Sequence, residues 1–345
     1  MIYRSLKDPK FRLYGSDVLD EPGFHRLSAA ERERLKTVNP DAAWHAHSST
    51  GILAKFITDS NEIRVRVKLL MPASMEYMSA VGQCGVDLYV QTEDGRYRLL
   101  DISRFDAKAS EYEAGLGRFQ DGKRRRYILH LPIYMGATDV TIGLDDEAFC
   151  CPVDYAVKGR VAVYGTSIVQ GGCVSRPGML PTNLLSRRFD REFLNFGFSG
   201  AAYLEPEVAA MISARDDLAL LFIDAEANAG TTDLMEQRLP AFYAQFRKSH
   251  PGIPVVVVSR PTFAMDLYDA SRSALKAHYR RWLSKFATAC RRRGEDVRFL
   301  DGSRFYRDAE ATVDGIHPSD GGAMAIADAY GRTIRKILSD EESYR

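Results

Sequence analysis

The sequence lacks most of the features that would assign it to a specialised class of protein. Its five cysteines are odd in number and show no Cys-x-x-Cys spacing, so neither a disulfide framework nor a zinc site is expected. Lys and Arg number 47 against 46 Asp and Glu, and this balance predicts no nucleic-acid partner. No stretch approaches the roughly 18 apolar residues that a membrane span needs, so no membrane association is expected.

The first residues also lack a targeting signal. Residues 1–12 are polar and contain no apolar run, so no signal peptide is visible. We expect a cytoplasmic protein, or one whose leader has been removed. What the chain does have is an ordinary globular composition, with 45% hydrophobic and 27% charged residues among 345. This length allows two domains, or one large domain, with a substantial core.

The hydrophobic pattern changes near residue 155 and divides the chain into two predicted domains, 1–155 and 156–345. In the first, short segments alternate apolar and polar residues and are separated by turn residues, as in half-buried antiparallel strands. Their spacing favours an all-β sandwich or jelly roll. Examples of the predicted strands are Gly51–Thr58, Ile63–Leu70, Val86–Gln91 and Tyr127–Leu131.

The second part alternates continuous apolar runs with helical patterns, which predicts a doubly wound α/β domain with a parallel sheet. In such a sheet, ligands bind beyond the carboxyl ends of the strands, where the strand order reverses. The predicted strands are Val161–Tyr164, Leu194–Phe198, Leu218–Ile223, Pro254–Ser259 and Val297–Leu300. The predicted helices are Pro206–Ile212, Leu234–Arg247, Arg272–Arg293 and Asp320–Ile337.

Ser167 lies directly after the first of these strands, in Gly165-Thr-Ser-Ile168. A serine at this edge is exposed and close to a helix N-terminus, and it becomes a nucleophile if a base takes its proton. Taken alone, such a serine is more often a turn or cap residue. The segment is not a G-x-S-x-G elbow, because Val169 stands at the second glycine. A phosphate-binding loop is the main rival, but no Lys-Ser/Thr pair or G-x-G-x-x-G follows.

Asp314 and His317 stand three residues apart in Asp-Gly-Ile-His-Pro, before the last predicted helix. The carboxylate can accept from one ring nitrogen and fix the tautomer, so that the other ring nitrogen faces a serine. By itself this short motif is more simply a capped turn with an exposed histidine.

Two further loops follow predicted strands. Gly200 comes after Leu194–Phe198, and glycine lets backbone N–H groups approach a substrate closely. Asn228 lies in the loop after Leu218–Ile223, and its amide can donate to a developing oxyanion. The simpler interpretations are structural: Gly200 would allow a turn, and Asn228 would cap a helix or form an Asx-turn. Four separate loops that each supply a suitable residue are much less expected by chance than any one of them.

These segments resemble, in order, the four blocks of the SGNH, or GDSL-type, esterases. The resemblance covers residues 159–340 and implies a flavodoxin-like parallel sheet. It implies Ser167 as nucleophile, His317 as general base and Asp314 as the residue that orients it. It further implies an oxyanion hole from the Ser167 and Gly200 N–H groups and the Asn228 amide. The chain departs from the family at Thr166, where the usual block has aspartate, although the subgroup that it most resembles often has threonine there.

Residues before 155 carry a second resemblance. Gly85-Val-Asp-Leu-Tyr89 is similar to the G-x-D-L-Y signature of a β-sandwich domain that precedes some SGNH hydrolases. It implies a small jelly roll packed beside the catalytic domain and gives no catalytic role to Asp87 or Tyr89. His45 and His47 would share one face of a strand, but no third ligand is evident, so no metal site is predicted there.

The sequence therefore predicts a serine esterase that needs no cofactor or metal and acts through an acyl-Ser167 intermediate. The expected substrate is a small-molecule or oligosaccharide ester with a short acyl group, and acetyl is the leading choice from the resemblance. Two alternatives remain: an acyltransferase built on the same residues, and a carbohydrate-binding protein whose hydrolase site has decayed. The oligomeric state is not predicted.

Overall fold

A computed structural model of the chain describes the backbone of residues 1–342 and the side chains up to Leu338. The end of the predicted domain 156–345, residues 343–345, lies outside the described residues. The strands are β1 (Ile2–Ser5), β2 (Arg12–Tyr14), β3 (Leu53–Thr58), β4 (Glu62–Leu69), β5 (Asp87–Gln91), β6 (Tyr97–Ile102), β7 (Glu111–Arg118), β8 (Arg125–His130), β9 (Ala137–Leu144), β10 (Cys150–Pro152), β11 (Val157–Gly165), β12 (Arg191–Gly197), β13 (Leu218–Asp224), β14 (Val255–Val258) and β15 (Val297–Leu300). The helices are α1 (Ala29–Val38), α2 (Pro40–His45), α3 (Ala80–Cys84), α4 (Ser167–Gln170), α5 (Pro181–Phe189), α6 (Pro206–Ser213), α7 (Glu226–Ala229), α8 (Leu234–Ser249), α9 (Ala270–Arg292) and α10 (Asp320–Glu342).

The first ten strands form two antiparallel sheets, with the orders β1-β9-β4-β7 and β10-β3-β8-β5-β6, and β2 pairs with β3. Inward-facing side chains of both sheets share one core, among them Phe56 and Leu129 from one sheet and Val65 and Ile142 from the other. The sheets agree with the predicted all-β domain. The helices α1 and α2 in this part were not predicted, although Ser28 and Glu31 form a capping box, which a Ser-x-x-Glu spacing can signal.

The last five strands form a parallel sheet with the order β12-β11-β13-β14-β15. Counted along the chain, this is the order 2-1-3-4-5 of flavodoxin-like sheets. The alternation along β11 places Val161 and Val163 in a core with α5 and α10, and Ala162 and Tyr164 in a core with α6, α8 and α9. Both faces are therefore covered, which explains the apolar runs Val161–Tyr164 in β11, Leu218–Ile223 in β13 and Val255–Val258 in β14.

The order reverses between β12, β11 and β13, and their carboxyl ends lie in register at Gly165, Gly197 and Asp224. This edge is the topological switch point at which a doubly wound sheet binds its ligand. Among the described residues, no helix has the length and apolar character required to cross a membrane.

All predicted elements of the sheet and its helices are present, and most ends move by one to four residues. One local prediction was wrong, and the strand arrangement considered for His45 and His47 does not occur. The Asn228 segment is the short helix α7 and not a loop. His45 ends helix α2, so His45 and His47 do not share a strand face, because Asn39 and Pro40 start a helix at that point.

Candidate active site

Ser167 lies at the first turn of α4, immediately beyond the end of β11. It is only 8% exposed, so the exposed position expected from the sequence was wrong. The Thr166 hydroxyl accepts a hydrogen bond from the Ile168 N–H at 3.4 Å and caps this turn. Threonine and aspartate both act as N-caps, so Thr166 can brace the loop in place of the family's aspartate. Gly165 is required here because a Cβ would lie 2.5 Å from the Asp224 carbonyl oxygen.

Ser167, His317 and Asp314 form one continuous hydrogen-bonded chain. The Ser167 Oγ lies 2.8 Å from His317 Nε2, and His317 Nδ1 lies 2.7 Å from Asp314 Oδ2. Asp314 Oδ1 also accepts from the backbone N–H groups of Ile316 and His317, at 3.0 and 2.8 Å. These bonds lock the loop around Gly315, whose φ of +85° favours glycine. The structure thus brings together all three residues that the sequence singled out.

The protonation of Asp314 follows from its contacts. Burial acts to raise the pKa of Asp314, but hydrogen bonds from His317 and from two backbone N–H groups outweigh it, so the pKa lies below its ordinary value. The carboxylate is therefore ionised at neutral pH and accepts a proton-bearing Nδ1. This tautomer leaves the lone pair of Nε2 for the serine hydroxyl. The arrangement can remove a proton from Ser167 and return it to a leaving group.

Gly200 and Asn228 lie on neighbouring segments beside Ser167. Phe198 N–H donates to the Gly165 carbonyl at 2.8 Å, which ties the segment of Gly200 to the serine turn. Asn228 Oδ1 accepts from the Ala202 N–H at 3.2 Å, which ties α7 to the same segment. Within residues 1–342, the Gly200 N–H, the Ser167 N–H and the Asn228 Nδ2 have no hydrogen-bond partner. These free donors can bind an oxyanion.

Gln170 was missed by the sequence reasoning, although it braces this loop. It is fully buried on α4, and its Oε1 accepts from the Ser199 N–H at 2.8 Å. Its Nε2 lies 3.3 Å from His45 Nδ1, so a residue of the β-rich part supports the loop of Gly200. Burial lowers the pKa of His45 to about 4, so the ring is neutral at physiological pH. No local pattern marks Gln170, since its role depends on its partners.

Tyr77 was also missed, and it brings the β-rich part directly to the triad. Its ring stacks on the His317 ring with centroids 6.0 Å apart and planes 16° apart. About half of the Tyr77 side chain is exposed, at 49%. A residue of the β-rich part therefore covers one face of the His317 ring.

Cys173 lies beside the Asp314–His317 pair. Its sulfur and one ligand atom of each of these residues lie within 4.8 Å of one another. Burial raises the pKa of the Cys173 thiol to about 12, so the thiol is protonated at neutral pH. The Asp314 and His317 atoms bonded to each other are 2.7 Å apart, closer than the roughly 3.3 Å expected for two ligands of a tetrahedral Zn²⁺. Cys173 therefore borders the pair as a neutral neighbour.

The fold and the site define the class of the protein: it is a serine hydrolase whose doubly wound, flavodoxin-like domain follows an antiparallel β region. Residues 158–335 match the GDSL-like Lipase/Acylhydrolase family, and the chain belongs to this family. Residues 1–149 match the GxDLY family, described as the N-terminus of Esterase_SGNH_hydro-type. The family and the hydrolase activity expected from the sequence are thus confirmed. None of the curated proteins matches the chain.

Solved structures with the same fold include enzymes of different activities. A protein from Bacteroides ovatus that is described as a GDSL-like lipase is 25% identical over 98% of each chain, with a TM-score of 0.89. The salicylyl-acyltransferase SsfX3 from a tetracycline biosynthetic pathway is 20% identical over 99% of this chain and 97% of its own, with a TM-score of 0.77. A family two carbohydrate esterase from Clostridium thermocellum, in complex with cellohexaose, is 12% identical over 84% of this chain and 93% of its own, with a TM-score of 0.63.

Proposed function

We propose that the protein is a serine esterase that hydrolyses short acyl esters through an acyl-Ser167 intermediate. The observation that carries this proposal is the unbroken chain of hydrogen bonds from Ser167 through His317 to Asp314, at 2.8 and 2.7 Å. This chain lies at the switch point of the sheet, where a substrate can reach it.

Each residue has a defined part in the mechanism. His317 Nε2 takes the Ser167 proton as Oγ attacks the ester carbonyl, and Asp314 stabilises the imidazolium that forms. The negative charge on the former carbonyl oxygen is held by the Ser167 and Gly200 N–H groups and the Asn228 amide. His317 then protonates the leaving alkoxide, and the alcohol departs. A water molecule then loses a proton to His317 and attacks the acyl carbonyl. The bond to Ser167 Oγ breaks, His317 returns the proton to Oγ, and the acid is released. No step of this mechanism requires a cofactor.

We propose acetyl as the preferred acyl group and an oligosaccharide or another small polar alcohol as its carrier. No long apolar insertion separates the segments of Ser167, Gly200, Asn228 and Asp314, and this supports a small acyl group over a long acyl chain. The carbohydrate esterase with cellohexaose bound supports the choice of alcohol.

The domain limits and the location are part of the same proposal. We place the boundary between residues 155 and 156, because β10 pairs with the β-rich part and ends at Pro152, whereas β11 of the parallel sheet begins at Val157. We place the protein in the cytoplasm, because all five cysteines are free thiols, which suits a reducing compartment.

An acyltransferase is the second candidate, and the similarity to a salicylyl-acyltransferase over nearly the whole chain favours it. Attack by an alcohol in place of water needs the same triad and oxyanion donors. Hydrolysis of an activated ester does not separate the two activities. Mass analysis of products in the presence of an acceptor alcohol does, since only a transferase yields mainly the new ester.

The serine assignment is tested with Ser167→Ala and a serine-directed phosphonate. Ser167→Ala should fold normally, show no esterase turnover and fail to react with the phosphonate. Ser271→Ala, at an exposed serine at the start of α9, is the matched control and should behave as the wild type. Phosphonate on another serine, or activity retained in Ser167→Ala, would contradict the proposal. Binding of acetylated oligosaccharides without turnover by the wild type would instead support a decayed hydrolase.

A further inference from the structure

The segment of residues 173–179, which we call the strap, runs along the contact between the β-rich part and the parallel-sheet part. Helix α3 packs tightly on it: Ser79 Oγ donates to the Ser175 carbonyl at 2.7 Å. A Cβ at Gly82 would lie 2.4 Å from the Val174 carbonyl oxygen, so only glycine permits this approach. The strap follows α4, which begins with Ser167.

Asp87, the aspartate of the G-x-D-L-Y signature, holds the strap from the β-rich side. Its carboxylate is fully buried. Oδ1 lies 2.7 Å from His130 Nδ1, and Oδ2 accepts from the Gly178 N–H at 2.6 Å. Arg187 completes the network, because it donates to His130 Nε2 at 3.0 Å and to the Gly178 carbonyl at 2.7 Å. The N–H and the carbonyl of Gly178 are thus both held by hydrogen bonds to charged side chains, Asp87 and Arg187.

Asp320 holds the other end of the strap beside the catalytic loop. Its two carboxylate oxygens accept from the Ser175 N–H at 2.8 Å and from the Ser175 hydroxyl at 2.5 Å. Arg176 of the strap lies between the two acids, with Nη1 3.7 Å from Asp320 and Nε 3.8 Å from Asp87. Asp320 begins α10, and only Pro318 and Ser319 separate it from His317.

We propose that Asp87 is a positioning residue, which acts through the strap and Asp320 to hold His317 at hydrogen-bonding distance from Ser167. This inference rests on the proposed function, since it assumes His317 as the base. The catalytic bond has little tolerance, because a misplacement of about 1 Å can lower the rate about 100-fold. Asp87 of the G-x-D-L-Y signature would thus affect catalysis by positioning His317, without contacting the substrate.

The network requires a carboxylate at position 87. One oxygen accepts from the imidazole N–H of His130 and the other from the Gly178 N–H. In Asp87→Asn the side chain can accept from only one of them and presents its own N–H₂ to the other. Two buried donors would then face each other, and Arg176 and Arg187 would lose the negative charge between them. We therefore expect the strap to shift in this variant.

The experiment compares Asp87→Asn with Asp190→Asn, which weakens a different contact between the two parts. Asp190 accepts from the buried Lys55 at 2.6 Å, does not contact the strap, and has a φ of +42° that asparagine tolerates. Both variants should lower Tm. Asp87→Asn should lower kcat and the rate of phosphonate labelling by 10- to 100-fold with KM within about twofold of the wild type. Asp190→Asn should keep kcat within about twofold, measured well below its Tm.

Asp320→Asn tests the contact between Asp320 and Ser175 of the strap, and it replaces Asp87→Asn if that variant does not fold. It should lower kcat in the same range, and the double variant should lose little more than the larger single loss, because both act through one strap. The inference is overturned if folded Asp87→Asn or Asp320→Asn keeps wild-type kcat, or if Asp190→Asn loses as much as they do. Ser167→Ala, run in parallel, separates the two failures: an active Ser167→Ala contradicts the proposed function itself.

Discussion

Substitutions at Asn228 distinguish a donor to the oxyanion from a residue that only braces its loop. The side chain has two ends, since Oδ1 accepts from the Ala202 N–H at 3.2 Å while Nδ2 has no partner among the described residues. Asn228→Ala removes both ends. Asn228→Asp keeps an acceptor for Ala202 but replaces the donor with a carboxylate oxygen. If Asn228 donates to the oxyanion, Asn228→Asp should have the lower kcat of the two variants. If Asn228 only braces its loop, Asn228→Asp should have the higher kcat.

The size of each loss follows from these contacts. Removal of one oxyanion donor lowers kcat by about 10²–10³. A carboxylate about 4 Å from the oxyanion adds roughly 4 kcal/mol of repulsion at an effective dielectric constant of about 20. That energy corresponds to up to about 10³ further in rate. The lost bond to Ala202 should cost Asn228→Ala about 1 kcal/mol of stability.

The assay is steady-state hydrolysis of p-nitrophenyl acetate, with the folded fraction checked by thermal unfolding. We expect kcat to fall in the order wild type, Asn228→Ala, Asn228→Asp, with little change in KM, because the bond strengthens as charge develops in the transition state. The reasoning is refuted if Asn228→Asp is as active as Asn228→Ala or more so. A rise in KM alone would make Asn228 a residue that positions the substrate.

Three further predictions concern the triad, the acyl group and pH. Asp314→Asn should lower kcat by about 10⁴, the cost of the same change in a Ser–His–Asp triad, and a loss below about tenfold would give Asp314 a structural part only. Across p-nitrophenyl esters from acetate to decanoate, kcat/KM should be highest at C2 to C4; a maximum at C8 or longer would contradict the carbohydrate-ester proposal. Burial raises the pKa of Asp224 to about 7 in the folded protein, above its value in the unfolded chain. The protonated acid therefore favours the folded state below about pH 4, and this contribution to the free energy of unfolding declines as pH rises to about 7. Asp224→Asn keeps an acceptor for the Tyr330 hydroxyl and does not titrate, so between pH 4 and 8 it should lose less stability than the wild type, by on the order of 4 kcal/mol at most; equal losses in thermal unfolding would contradict this.

Much of the fold could be predicted from local pattern. Strand β14 was predicted to within one residue at each end, because a strand covered on both faces is apolar at each position and stops where polarity returns. Helix α2 could not be predicted in this way, since a helix of 6 residues is too short to show a helical period. Asn228 was correctly placed after the third predicted strand of the parallel sheet, but its segment was predicted as a loop and is the single helical turn α7. A single turn is too short to show a helical period in the sequence.

The sequence by itself determined which residues are available for chemistry: Ser167, Gly200, Asn228 and the Asp-x-x-His pair each follow a recognisable strand or precede a helix. Only the tertiary structure decided that they meet, because Ser167 and His317 are 150 residues apart and their contact depends on the strand order. It alone also placed Tyr77 against His317 and Asp87 against the strap. Such contacts join segments that are far apart in the sequence, and local patterns of hydrophobicity fix which face is buried but not which partner covers it.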